Sequence, residues 1–86
     1  MKYTVTWTQE ARDELCELFL AVADRNELAR IVNALEQELG RRPDELGESR
    51  DGQVRVVMET HFGLQIEIFP EDCLVKVFHV GWLPPP

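Results

Sequence analysis

Apolar and polar residues alternate at the start of the chain and then recur at helical spacing. Tyr3, Val5 and Trp7 alternate with polar neighbours, which is the period of two expected of a half-buried strand. Thr8 is a suitable N-cap for a helix that follows this strand. The apolar positions of that helix are Ala11, Leu15, Leu18, Phe19 and Val22. Their spacing predicts a first helix over residues 9–23.

A second apolar stripe at helical spacing follows almost at once. Asp24 and Glu27 stand three positions apart, the arrangement in which both side chains cap the first turn of a helix. The stripe consists of Leu28, Ile31, Val32, Leu35 and Leu39. Gly40 is expected to end this helix as a left-handed C-cap. Because the connection between the two helices is so short, they are predicted to run antiparallel.

The rest of the chain is predicted to be a loop followed by three strands. Residues 41–49 are polar, include Pro43 and Gly47, and show no period, which is typical of a loop. Strand-like alternation covers residues 54–59, 64–69 and, after a turn at 70–72, 74–80. Residues 82–86 are expected to form a frayed, proline-rich tail.

These elements predict one α+β domain over residues 1–86, with the order β-α-α-β-β-β and a helical hairpin on one face of a small, mainly antiparallel sheet. Matching the hydrophobic faces of the last three strands predicts their register. The predicted pairs are Met58 with Leu64, Val56 with Ile66, and Ile66 with Val77. This register places Arg55, Glu67 and Lys76 side by side, in a charged row on the face away from the helices.

Composition narrows the classes of function. The 86 residues carry a formal charge of −7, which argues against unaided binding to nucleic acid because phosphate contacts need clustered Lys and Arg. No run of about 18 apolar residues is present to span a membrane. Residues 1–5 do not resemble a signal peptide, so a cytoplasmic location is expected. Cys16 and Cys73 are too few for a disulfide framework and are expected to be reduced.

Four stretches of sequence are informative through their order and spacing. They read YTVTWTQEARDEL, ADRNELARIVNALEQEL, RRPDELGESRDGQVRV and PEDCLVKVFHV. Together they resemble the RelE/ParE superfamily of bacterial toxins along the whole chain, and the GESR stretch is most similar to a divergent RelE/ParE-like branch. The resemblance implies the toxin of a type II toxin–antitoxin pair, neutralised by an antitoxin. Members of the RelE branch cut mRNA on the ribosome without a metal, and ParE members inhibit gyrase instead.

The sequence departs from the mRNA-cleaving pattern at two places. Gly63 follows Phe62 where those members commonly carry an arginine. After Val80, where they carry a basic tail with tyrosine, the chain reads Gly81, Trp82, Leu83 and three prolines. Arg50 of the GESR stretch is the one position that the resemblance carries over. The resemblance therefore implies the fold of the family with its mRNA-cleaving residues missing.

Three candidate catalytic residues follow from the charged positions. Arg50, Arg55 and Lys76 could bind a phosphate on the sheet and support a metal-independent, ribosome-dependent endoribonuclease with a rearranged site. The alternative is that Arg55 and Lys76 only pair with Glu67 across the strands. His79 could act as a general base, but its predicted place on the Val75 and Val77 face favours a core-edge histidine.

No cofactor and no metal site are expected. Cys16, Cys73, His61 and His79 have no pair at short ligand spacing, so a zinc site made from them is disfavoured. The expected partner is an antitoxin protein; the ribosome with mRNA, or gyrase, are further candidates, and a homodimer stays open. Three functions remain: a toxin controlled by an antitoxin, a ribosome-dependent endoribonuclease, and a non-toxic interaction module on the same fold.

Overall fold

A computed structural model of the protein describes residues 2–82. The chain forms β1 (Thr4–Trp7), α1 (Gln9–Ala21), α2 (Arg25–Arg41), β2 (Glu48–Asp51), β3 (Val54–Glu59), β4 (Phe62–Phe69) and β5 (Leu74–Trp82). Short 3-10 turns lie at Pro43–Glu45 and Pro70–Asp72. The strands form one sheet in the order β1-β5-β4-β3-β2, in which β1 runs parallel to β5 and the other neighbours are antiparallel. The α+β prediction is confirmed.

Both helices begin at the predicted caps. The Thr8 hydroxyl accepts a hydrogen bond from the Ala11 amide at 3.1 Å, and the Asp24 carboxylate accepts one from the Glu27 amide at 3.0 Å. Each bond satisfies an amide that has no partner within the first turn of its helix. Helix α1 ends at Ala21, two residues before the predicted end.

The predicted end of the second helix is wrong. Gly40 is not a left-handed cap but a buried residue inside α2, which continues to Arg41 and is capped by Arg42. The Gly40 carbonyl accepts a hydrogen bond from the Tyr3 amide at 2.7 Å, and a Cβ at this position would lie 3.4 Å from the Tyr3 carbonyl oxygen. Glycine therefore serves here for the close approach of β1 to α2.

A hydrogen bond and an ion pair reinforce this end of α2. The Glu38 carboxylate accepts a hydrogen bond from Arg42 at 2.7 Å and lies 3.7 Å from Arg41. The hydrogen bond from the Arg42 guanidinium lowers the pKa of Glu38. The two arginines also place positive charge at the negative end of the helix dipole.

The core lies between the helices and one face of the sheet. Every second residue of β4 is buried, and α2 contributes its apolar stripe to the same cluster. The buried hydrophobic residues are Ala11, Leu28, Val32, Leu35, Leu39, Val57, Phe62, Leu64, Ile66, Ile68, Val75, Val77 and Val80. Leu15, Phe19 and Ile31 are partly buried against them.

The predicted register is wrong between β3 and β4 and confirmed between β4 and β5. Val57, not Met58, pairs with Leu64, and Arg55 pairs with Ile66. Strand β5 pairs with β4 as predicted, with Ile66 opposite Val77 and Glu67 opposite Lys76. The displaced side chain is Arg55, so the predicted row of Arg55, Glu67 and Lys76 does not form.

The shift has a local physical cause. Four of the five residues from 54 to 58 are apolar, so alternation along β3 does not show which of them face the core. The turn decides instead: Glu59 pairs with Phe62, which leaves only Thr60 and His61 in the connection. Thr60 has φ 57°, a left-handed conformation suited to a two-residue hairpin turn.

Two stretches predicted as irregular contain strand residues. Residues 48–51 form the edge strand β2, whose side chains are all exposed and polar, so they carry no alternation that a sequence could show. Trp82, predicted to start the frayed tail, is the last residue of β5 and pairs with Phe62. The rest of that predicted tail, residues 83–86, lies outside the described residues.

Candidate functional site

A groove of about 290 Å³ lies on the face of the sheet opposite the buried side chains of β4, which we call the open face. Strands β3, β4 and β5 form its floor, and α1 adds one wall at the edge of β5. The lining residues are Glu14, Val56, Met58, Gly63, Leu64, Gln65, His79, Val80 and Gly81. We call this cavity the open-face groove.

Two glycines form part of the groove floor. Gly63 of β4 and Gly81 of β5 are cross-strand partners, so neither strand presents a side chain at this point. The Met58 sulfur covers Gly63 so closely that a Cβ there would lie 2.6 Å from it. Gly63 is one departure from the mRNA-cleaving pattern and Gly81 begins the other, so the fold places the first departure beside the start of the second.

The polar wall of the groove joins α1 to β5. The Glu14 carboxylate accepts a hydrogen bond from the Val80 amide at 3.0 Å, and the same oxygen lies 3.5 Å from Nδ1 of His79. Strand β1 ends at Trp7, beside Val77, so the carboxylate satisfies an amide of β5 beyond the end of its neighbouring strand.

The predicted place of His79 on the Val75 and Val77 face is wrong. The pairing of β4 with β5 shifts at Phe78, where Val77 pairs with Ile66 but His79 pairs with Gln65. The extra residue reverses the alternation beyond it, so His79 lies on the open face with its side chain 45% exposed. The imidazole is a groove residue and not a core-edge histidine.

Arg55 lies on the opposite side of the sheet from the groove. Its pairing with Ile66 places it on the helix-bearing face, at the edge of the core. The guanidinium donates hydrogen bonds to the carbonyls of Leu46 at 2.7 Å and of Gly47 at 3.2 Å. These contacts hold the segment that leads into β2, and they direct the charge away from the open face.

Arg50 and Lys76 are exposed at separate places. Arg50 lies on the edge strand β2, 3.9 Å from Glu48. Lys76 lies on β5 opposite Glu67, with its ammonium 5.6 Å from the centre of the Phe69 ring. Two strands separate β2 from β5, so the two backbones are about 14 Å apart across the sheet. The three predicted catalytic residues are therefore not brought to one point.

The remaining predicted candidates have local contacts. The His61 ring packs edge-to-face on Trp82 with centroids 5.7 Å apart, next to the hairpin turn. Cys16 is exposed on α1, Cys73 follows the last turn with φ 48°, and no disulfide joins them. The groove residues that sequence reasoning missed are Glu14 and Met58. For His79 the sequence offers one weak signal, the change from a two-residue to a three-residue spacing of the valines at 75, 77 and 80.

Comparisons of the fold are informative where the sequence gives little. No protein-family model matches the chain, and no curated protein matches it in sequence. A chain of the toxin–antitoxin complex RelBE2 from Mycobacterium tuberculosis superposes with a TM-score of 0.79, at 22% identity over 95% of this chain and 92% of that one. This is the RelE/ParE fold.

Two further structures support that assignment. The isolated E. coli RelE toxin has a TM-score of 0.67, at 17% identity over 98% of this chain and 87% of that one. A chain of the chromosomal ParDE system of P. aeruginosa has a TM-score of 0.65, at 14% identity over 96% of this chain and 98% of that one. The RelE/ParE fold thus extends over nearly the whole chain, which superposes both on RelE and on a chain of the ParDE system.

The charge of the groove sets this RelE/ParE fold apart from a phosphate-binding surface. Among the described residues that line the groove, none is Lys or Arg, and the charged group is the Glu14 carboxylate. A carboxylate repels phosphate, whereas stabilising a transferring phosphoryl group needs cations aimed at its oxygens.

None of the helices described between residues 2 and 82 has the length and apolar character needed to cross a bilayer.

Proposed function

We propose that this protein is the toxin-fold component of a type II toxin–antitoxin pair and acts by binding a protein partner, without cleaving mRNA. The observation that carries the proposal is the similarity of fold over 95% of the chain to a chain of a solved toxin–antitoxin complex. A match over whole chains means that no large element has been lost or added between the two proteins. This similarity supports an antitoxin as the partner of the protein.

The groove supports binding over cleavage. Its floor is backbone and apolar side chain around Gly63 and Gly81, and its polar wall is Glu14 with His79. The exposed cations Arg50 and Lys76 lie on β2 and β5, which are separated by two strands of the sheet. The Arg55 guanidinium is held by backbone carbonyls. Cleavage of mRNA also needs cations aimed at the transferring phosphate, and the described residues that line the groove include no Lys or Arg.

The net charge points to the character of the partner. At −7, the protein attracts a basic segment at long range and repels a polyanion such as mRNA. An antitoxin segment that contacts it is expected to carry Lys and Arg at the rim of the interface. Its association should weaken as salt is raised, because screening acts on exposed charges.

Two measurements test the proposal. The protein is expressed alone in a bacterial host from an inducible promoter, and mRNA ends are mapped; we expect tolerated expression and no ribosome-dependent cleavage. The protein encoded by the adjacent reading frame is then co-expressed, and we expect the two to co-elute in size-exclusion chromatography.

Either result can overturn the proposal. If the parent protein cuts mRNA on the ribosome and the variant Arg50→Gln/Lys76→Gln does not, the endoribonuclease function replaces the proposal. Absence of a stable complex with the adjacent gene product would favour an interaction module that is not paired with an antitoxin.

A further inference from the structure

Three metal-ligating side chains meet at the wall of the open-face groove. Within residues 2–82, a single group of three or more Asp, Glu, His or Cys side chains brings its ligand atoms together, and it consists of Glu10, Glu14 and His79. One ligand atom from each lies within 4.8 Å of the others. Two of the three, Glu14 and His79, also line the groove.

The group is assembled by the fold and is not a run of acidic residues. Glu10 and Glu14 are four positions apart on α1, so they project from the same face of the helix. His79 comes from the other end of the chain and faces them only because the bulge at Phe78 turns it to the open face. The imidazole is the ligand that distinguishes a transition-metal site from a surface patch of carboxylates.

Glu14 is already held in place. Its carboxylate oxygen accepts the hydrogen bond from the Val80 amide at 3.0 Å, which fixes the side chain against β5. A backbone amide that orients a carboxylate in this way serves as an outer-shell contact, of the kind that supports ligands in metal sites. The adjacent Asp13 is instead bound by the Gln9 side chain at 2.9 Å, which leaves it outside the group.

Electrostatics favours a cation at this point. Among the described residues, the Glu10 carboxylate has no hydrogen-bond or ion-pair partner, although it lies beside the carboxylate of Glu14. Like charges at this helical spacing destabilise each other, and a divalent ion would neutralise both. The net charge of −7 adds a long-range attraction for cations.

We propose that Glu10, Glu14 and His79 bind a divalent transition-metal ion, for which zinc is the appropriate probe. Zinc takes carboxylate and imidazole ligands at about 2.0–2.2 Å, so ligand atoms of a tetrahedral site lie about 3.4 Å apart. The ligand atoms of the group already lie within 4.8 Å of one another, so small side-chain movements bring them to that spacing. Three protein ligands leave at least one position open on the ion, as in sites where zinc binds an exchangeable ligand.

A bound ion would change the character of the open-face groove. It would place a positive centre at a wall that otherwise carries the Glu14 carboxylate. An anionic group, such as the carboxylate of a partner side chain, could then occupy the open position. This inference stands independently of the proposed antitoxin partner, because the three ligands belong to this chain alone.

The test is a zinc titration of the purified, metal-free protein by isothermal calorimetry. We expect one zinc ion per chain and a rise in melting temperature when zinc is present. The variants Glu10→Gln and His79→Gln each remove one ligand and should weaken binding at least about tenfold. Circular dichroism of the metal-free variants checks that each still folds.

Matched controls separate this site from non-specific binding. Glu17→Gln removes a carboxylate from α1 outside the group and should leave the affinity unchanged. The Cys16→Ser/Cys73→Ser variant should also bind zinc normally, which excludes the thiols as ligands. The proposal is overturned if the parent protein binds no zinc, if Glu17→Gln weakens binding as much as Glu10→Gln, or if the serine variant loses it.

Discussion

The Glu14 carboxylate and the Val80 amide, 66 residues apart in the chain, form a 3.0 Å hydrogen bond that ties the first helix to the last strand. The bond satisfies an amide on β5 beyond the end of β1. A part-buried amide left without an acceptor carries a desolvation penalty. The contact therefore stabilises the outer end of β5 as well as shaping the groove wall.

This relationship predicts different effects for two substitutions of Glu14. Glu14→Ala removes the acceptor and should lower the free energy of unfolding by about 1 kcal/mol. Glu14→Gln keeps an acceptor oxygen at the same reach and should lose less than half of that. Urea unfolding followed by circular dichroism measures both, with Glu17→Ala as the control on the same helix. Equal losses for Ala and Gln would show that the charge, not the hydrogen bond, matters.

The register of β3 gives a second prediction, based on two adjacent residues. Val57 is 3% exposed and faces the core, whereas Met58 is 43% exposed on the open face. Val57→Asp should bury a charge without a partner and unfold the domain, because the cost of burying an unpaired charge is comparable to the whole free energy of unfolding of a typical domain, about 5–15 kcal/mol. Met58→Asp should stay folded. The reverse result in thermal melts would restore the register expected from alternation.

The sequence predicts the helix starts and the pairing of β4 with β5 correctly, because capping residues and apolar alternation are unambiguous there. Both helix starts could be predicted because Thr8 and Asp24 are capping residues placed directly before amphipathic stripes. The pairing of Ile66 with Val77 could be predicted because β4 and β5 both alternate cleanly at that point. These are features that a few neighbouring residues determine among themselves.

The candidate site could not be predicted for a related reason. The bulge at Phe78 moves His79 to the open face, and no local residue type demands a bulge there. The meeting of Glu14 with Val80 depends on where β1 ends, which is a property of the whole sheet. The predicted grouping of Arg55 with Lys76 depends on a register that is wrong by one residue between β3 and β4, enough to move Arg55 to the other face.

The separated positions of Arg55 and Lys76 give a third prediction. Arg55→Gln should lose the hydrogen bonds to the carbonyls of Leu46 and Gly47, and with them about 1–2 kcal/mol of unfolding free energy. Lys76→Gln removes an exposed charge opposite Glu67 and should change stability by less than about 1 kcal/mol. Chemical denaturation of the single variants compares them directly. A larger loss for Lys76→Gln would contradict the assigned contacts.

Gly47 and Gly52 give the last prediction, since they share a backbone conformation but differ in their surroundings. Gly47 has φ +64° and Gly52 has φ +57°, so an alanine at either position would be held in the left-handed region, at about 1–2 kcal/mol. Around Gly52 the space is open, and this strain is the whole expected effect. At Gly47 a Cβ would overlap the Val56 carbonyl, which belongs to the ladder between β2 and β3.

We therefore expect Gly47→Ala to be more destabilising than Gly52→Ala by a further about 1–3 kcal/mol, because backbone must move to relieve the overlap. Hydrogen exchange of the β2 and β3 amides should also accelerate in Gly47→Ala, since the ladder has to open where the Cβ enters. The same amides should keep their protection in Gly52→Ala. Similar unfolding free energies for the two variants would mean that β2 does not pack against β3 at Val56, and that the edge of the sheet beside Arg50 is arranged differently.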